Sequence, residues 1–202
     1  MLMRLSMSLF RYLLATTFII FICTTSSGFA KKAAIVIDFD TKEVLFEVNA
    51  NTKNYPASLT KIMTLYILFD RLEKNQISNQ TKFNVSKIAA SRSPSKLYLE
   101  EGSTIKVEDA IMALIIKSAN DVATVVAENI SGTEREFAKL MTNYARDLGM
   151  TSTTFKNASG LPNRAQLTTA RDISILSHAL ISNFPEKYEL FNTQKFTYNG
   201  KT

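Results

Sequence analysis

Ser58-Leu59-Thr60-Lys61-Ile62-Met63-Thr64-Leu65-Tyr66-Ile67-Leu68-Phe69 is the stretch that decides the fold of this chain. Leu59, Ile62, Met63, Leu65, Tyr66, Ile67, Leu68 and Phe69 occupy almost every face of a 3.6-residue period, which predicts a helix from Ser58 to Glu73 buried on most sides. A helix of that kind lies at the centre of a domain. Its first turn, with Ser58 and Lys61, is then expected in the interior or in a cleft.

Three residues apart on a helix, a hydroxyl and an ammonium project from one face within reach of each other. Lysine is no base at its solution pKa of about 10.4, but burial and a positive helix N-terminus both favour its neutral form. A neutral Lys61 can take the Ser58 proton, and the free Ser58 N–H can donate to an oxyanion. The same Ser-x-x-Lys spacing recurs at Ser93 to Lys96 and Ser103 to Lys106. Ser93 precedes Pro94 in a loop, and Ser103-Thr104-Ile105-Lys106 alternates like a short extended segment, so only Ser58 opens a buried helix. The plain alternative is a helix cap with a snorkelling Lys61.

Outward from that helix, Ala33 to Asp38 and Val44 to Val48 are apolar runs separated by Asp40-Thr41-Lys42, a hairpin pattern. Val107 to Lys117 is helical in character, and Asp121 to Ile130 resumes with Val122, Val125 and Val126 on one face before Gly132. Between them stands Ser118-Ala119-Asn120. A serine there can relay a proton, and an asparagine amide can donate and accept at once, although an ordinary interhelical turn reads the same way. Thr133 with Glu136 signals a capped helix closed by Gly149, with Phe137, Leu140, Met141, Tyr144 and Leu148 inward. Thr169 and Asp172 cap another, ending before Pro185, with Ile173, Leu176 and Leu180 inward. Phe191 to Tyr198 reads as a strand, followed by an Asn199-Gly200 turn.

The ends and the composition set the compartment. Arg4 and Arg11, an apolar run from Tyr12 to Cys23 and the small residues near Gly28-Phe29-Ala30 predict a signal peptide over residues 1–30, hence export to the periplasm or the outer face of the inner membrane. Residues 31–202 form one domain. Cys23 is the only cysteine, so the exported part has no thiol chemistry. It keeps 22 basic against 18 acidic residues, a net +4, which allows association with an anionic envelope surface and gives no support to nucleic-acid binding. The single histidine, His178, falls off its helix's apolar face and reads as a surface residue, which removes a Ser-His-Asp triad. No metal or cofactor is expected.

Tyr55-Pro56-Ala57-Ser58-Leu59-Thr60-Lys61-Ile62-Met63-Thr64, Lys117-Ser118-Ala119-Asn120-Asp121 and Phe155-Lys156-Asn157-Ala158-Ser159-Gly160-Leu161-Pro162 together resemble the serine D-alanyl-D-alanine carboxypeptidases, low-molecular-mass penicillin-binding proteins. The resemblance implies an α/β (α+β) chain of the transpeptidase and serine β-lactamase fold, with an antiparallel sheet and a mostly helical subdomain. It implies Ser58 as acyl-ester nucleophile and Lys61 as general base, with Ser118 as relay and Asn120 as substrate holder. It also implies the D-Ala-D-Ala end of a peptidoglycan stem peptide as substrate and β-lactams as acylating inhibitors.

The family's third motif, Lys-Thr-Gly on a core strand, is absent; Lys201-Thr202 follows a turn and is read as coincidence. The expectation is therefore a chain truncated before its C-terminal strands, poorly folded alone and nearly inactive. A non-catalytic envelope protein that binds peptidoglycan or a cell-wall enzyme is the competing reading. A serine β-lactamase is a further one, disfavoured because no Glu-x-x-Leu-Asn occurs.

Overall fold

The computed structural model describes residues 32–200. The expected signal peptide with Cys23 and the terminal Lys201-Thr202 lie outside the described residues. β1 (Ala34–Ile37) runs antiparallel to β2 (Val44–Val48), pairing Val36 with Phe46 and Ala34 with Val48. Asp38 closes the hairpin by accepting from the N–H groups of Asp40 (3.1 Å) and Thr41 (2.8 Å) and from the Thr41 hydroxyl (2.8 Å). An aspartate that binds its own backbone two and three residues on stabilises the turn directly.

A short 3-10 turn, Ala57–Leu59, leads into α1 (Thr60–Glu73). The helix is buried nearly all round its first two and a half turns, as the apolar pattern requires. β3 (Lys82–Asn84) and α2 (Lys87–Ala90) follow, the latter capped by the Ser86 hydroxyl, which accepts from Ala89 N–H. β4 (Thr104–Lys106) pairs antiparallel with β3 and buries Phe83 against Ile105. Among the described residues the antiparallel sheets are thus two separate two-stranded ones.

α3 (Val107–Met112) continues as a π-helical turn, Ala113–Lys117, which ends where Ser118 takes a left-handed conformation, φ +52°. Ala119 is extended and starts α4 (Asn120–Ser131), and Gly132 stops it. α5 (Glu134–Asp147) is capped by Thr133, whose hydroxyl accepts from Glu136 N–H at 3.2 Å. Glu136 binds Lys139 and leaves the reciprocal half of the capping box unmade. α6 (Ala170–Asn183) is capped by Thr169 in the same way, and Pro185 opens the one-turn α7 (Pro185–Tyr188).

One core joins these helices. Met63, Ile67 and Phe69 of α1 meet Val122 and Val125 of α4, Phe137 and Met141 of α5 and Leu176 of α6. Each such side chain contributes about 1.5–3 kcal/mol on burial. Ile35 and Ile37 of the hairpin face α6 across a cavity of about 500 Å³. Among the described residues the opposite face lies open: Val36 is 50% exposed, its partner Phe46 55% and Val48 42%.

Two expectations change. Phe191 to Tyr198 is no continuous strand: Glu189–Asn192 forms a 3-10 turn and the chain is irregular from 193 until Tyr198, a single bridge residue before the Asn199-Gly200 turn, with Phe196 and Tyr198 stacked at 6.3 Å and packed on the core. Apolar character there serves helix packing, which alternation alone does not distinguish from a strand. His178 is half-buried, its ring 4.7 Å from Phe39 and its Nε2 3.0 Å from the Phe39 carbonyl oxygen, tying α6 to the hairpin turn.

Candidate active site

Ser58 lies in the 3-10 turn before α1, and its side chain is exposed. The residue in front of it, Ala57, has φ +46°, a conformation that costs a residue with a Cβ about 1–2 kcal/mol. That strain is tied to a neighbour. Gly160 packs so closely on the Ala57 carbonyl that a Cβ on it would sit 1.8 Å from the oxygen, and Gly160 itself has φ +88°.

Lys61 is 3% exposed, and its head group turns inward, which excludes snorkelling. Its Nζ donates to Asn120 Oδ1 at 2.8 Å and to the Ser159 carbonyl at 2.6 Å. Among the described residues no carboxylate is bound to it, so burial acts unopposed and pushes its pKa from the usual 10.5 down to about 8. Two neutral acceptors match the two N–H groups of a neutral amine and leave its lone pair free.

Asn120 starts the buried helix α4, and the loop from Ser93 holds it: its N–H donates to the Ser95 carbonyl (2.7 Å) and its amide reaches the Ser93 carbonyl (3.4 Å). Ser118, two residues earlier and partly buried, is turned by its left-handed backbone between the π-helical turn and α4. Of the four residues expected at the site, the structure joins Lys61 and Asn120 directly. Among the described residues no hydrogen bond links the Ser58 or Ser118 hydroxyl to Lys61.

The rival spacings do not form pairs. The Ser103 hydroxyl donates to the Glu100 carbonyl and Lys106 meets Glu108, while Lys96 reaches the Ala90 carbonyl.

The segment 155–166 supplies what spacing did not show. Thr64 on α1 donates to the Ala158 carbonyl at 2.8 Å, one turn beyond the Lys61 contact with Ser159. Gln166, 2% exposed, accepts from the N–H groups of Lys156 (2.8 Å) and Asn157 (3.0 Å), and its own amide reaches Asn157 Oδ1 and Thr60 Oγ1. Asn157 Oδ1 in turn accepts from Gly160 N–H at 2.7 Å. A signal existed for part of this. Thr60, Lys61 and Thr64 make a polar stripe on an otherwise apolar helix, and such a stripe needs partners when buried. Nothing local marks Gln166.

A family model for D-alanyl-D-alanine carboxypeptidases, peptidase family S11, matches residues 23–202. The chain is 38% identical over 174 residues to the D-alanyl-D-alanine carboxypeptidase DacC of Escherichia coli, covering 83% of this chain and 44% of the relative. Among solved structures it resembles the D-alanyl-D-alanine carboxypeptidase DacD of Francisella tularensis, with a TM-score of 0.81 and 36% identity over 83% of this chain and 41% of that one. It also resembles penicillin-binding protein D2 of Listeria monocytogenes in its ampicillin-bound form, with a TM-score of 0.75 and 33% identity over 84% of this chain and 69% of that one. The chain spans less than half the length of DacC. The transpeptidase-like fold, the three motif segments and the family match agree, and this chain belongs to the D-alanyl-D-alanine carboxypeptidase family.

Proposed function

We propose that the chain carries the acyl-transfer half of a D-alanyl-D-alanine carboxypeptidase site that removes the terminal D-alanine from peptidoglycan stem pentapeptides. Neutral Lys61 takes the Ser58 proton as Ser58 Oγ attacks the carbonyl of the penultimate D-alanine. The Ser58 N–H, in a first turn with no carbonyl behind it, donates to the developing oxyanion. The C–N bond breaks, the leaving amine receives a proton relayed through Ser118, and D-alanine departs. Asn120 holds both Lys61 and the substrate's peptide group. Water activated by Lys61 then attacks the ester, which returns Ser58 and releases the shortened peptide.

The observation that carries this reading is Lys61: buried, bonded to two neutral acceptors, with no carboxylate bound to it among the described residues, and with its pKa lowered to about 8, so that the neutral base is within reach. The ampicillin complex of a relative 33% identical supports β-lactams as acylating inhibitors of the same serine. The leader expected at residues 1–30 supports export, with the site facing peptidoglycan from the periplasm or the outer surface of the inner membrane, where the net positive charge favours an anionic envelope.

The test uses the full chain and a fluorescent penicillin. Labelling that disappears in Ser58→Ala, with D-alanine release from a pentapeptide, supports this reading and overturns the expectation of a nearly inactive chain. Peptidoglycan binding with neither labelling nor release identifies the non-catalytic envelope protein instead.

A further inference from the structure

Tyr98 is a bulky aromatic residue at φ +64°, where such residues are genuine outliers. Packing does not compensate for this, because the side chain is 70% exposed. The conformation is imposed from below by Asp121. This carboxylate, fully buried in α4 beside Asn120, accepts from Leu97 N–H (2.9 and 3.0 Å to its two oxygens) and from Leu99 N–H (3.2 Å). Gripping the amides on either side turns Leu97 and Leu99 towards the core and presents the ring between them to solvent.

The same loop is fastened to the candidate site. Asn120 N–H binds the Ser95 carbonyl, and the Ser95 hydroxyl binds the Lys117 carbonyl at 2.7 Å, so both sides of Ser118 are tied to it. The Lys96 ammonium lies 5.2 Å from the centre of the Tyr98 ring, a cation–π distance, and places a positive charge beside the exposed aromatic. Backbone strain held in place by a buried charge and spent on exposing an aromatic ring is a pattern of ligand sites.

We propose that Tyr98 is a substrate-contact residue. Its ring forms the rim of the site on the Asn120 side and packs against the peptide planes and aliphatic groups of the acyl-donor stem peptide, with Lys96 adding a partner for that peptide's carboxylates. The proposal rests on the reading of Ser58 as nucleophile for its substrate class.

Two experiments on the full chain separate the two ideas. In the first, a Ser58→Ala chain with ¹³C-labelled tyrosines is titrated with an N-acetylated stem pentapeptide ending in D-Ala-D-Ala. The Tyr98 ring resonance, assigned from Tyr98→Phe, is expected to shift with saturation; titration that leaves it unmoved overturns the proposal whether or not Ser58 reacts. In the second, Tyr98→Asn, which suits a positive φ, is compared with Tyr98→Phe. Tyr98→Asn is expected to weaken peptide binding about 3–10-fold, the range for loss of an aromatic contact, with Tm held or raised. Tyr98→Phe keeps the affinity. A lowered Tm with unchanged affinity in Tyr98→Asn assigns the ring a structural role and refutes the contact. Absent penicillin labelling with a shifted Tyr98 ring refutes the Ser58 reading alone.

Discussion

Replacing Gly160 by alanine tests how the candidate nucleophile is held. The added Cβ would sit 1.8 Å from the Ala57 carbonyl oxygen and 2.4 Å from its carbon, where real Cβ atoms keep at least 3.0 Å. One backbone must therefore retreat by at least 1.2 Å, the difference between those two distances. The Gly160 side is the one held in place. Gly160 N–H is held by Asn157, and the Ser159 carbonyl beside it holds Lys61, so Ala57 and the attached Ser58 must move. A displacement of about 1 Å at a reacting group costs on the order of 100-fold in rate. Overpacking adds about 1–3 kcal/mol of lost stability, and an alanine at φ +88° adds about 1–2 kcal/mol.

Gly102 separates these effects, because it has φ +79° and nothing within 4 Å of its virtual Cβ. Gly102→Ala isolates the conformational cost and leaves Ser58 in place. The assay is the second-order rate of labelling by a fluorescent penicillin, normalised to the folded fraction from a urea curve. Gly160→Ala is expected to fall about 100-fold and Gly102→Ala to match the parent. Parental labelling in folded Gly160→Ala, or an equal loss in Gly102→Ala, would refute the claim that close backbone contact positions the serine.

Lys61 fixes a pH dependence whose sign follows from its depressed pKa. The neutral base accumulates as pH rises through about 8, so acylation should climb tenfold per unit below that and level off above it, and a flat profile from pH 6 to 9 excludes Lys61 as the base. For stability, the unfolded chain binds the extra proton between about 8 and 10.5, so unfolding free energy rises with pH across that window; Lys61→Met should lose that rise, read by urea titration at pH 7.5 and 9.5. Gln166→Leu leaves the Lys156 and Asn157 N–H groups without the acceptor they now share. It should destabilise the chain by about 1–3 kcal/mol per buried group and slow penicillin labelling, and an unchanged Tm would show that water replaces the amide.

The sequence was most legible where a local rule acts. The hairpin followed from two apolar runs separated by Asp40-Thr41-Lys42, and α5 and α6 began at Thr133 and Thr169 because each hydroxyl accepts from an N–H three residues on. Ser58 and Lys61 stood out because a polar pair opened a helix with no solvent face. Phe191 to Tyr198 misled because an apolar run carries no record of what it packs on.

By itself the sequence determined the buried helix that carries Lys61, though it starts at Thr60 and leaves Ser58 in the 3-10 turn before it, the turn that sets Ser118 before Asn120, and the family. Those features depend on residues a few positions apart. Tertiary structure alone decided that Lys61 is held by Asn120, 59 positions on, and by Ser159, 98 positions on. It also decided that Gly160 presses on Ala57 and that Asp121 forces Tyr98 outward. A buried ammonium and a close-packed backbone take their properties from whatever the fold brings against them, and spacing along the chain carries no record of those distances.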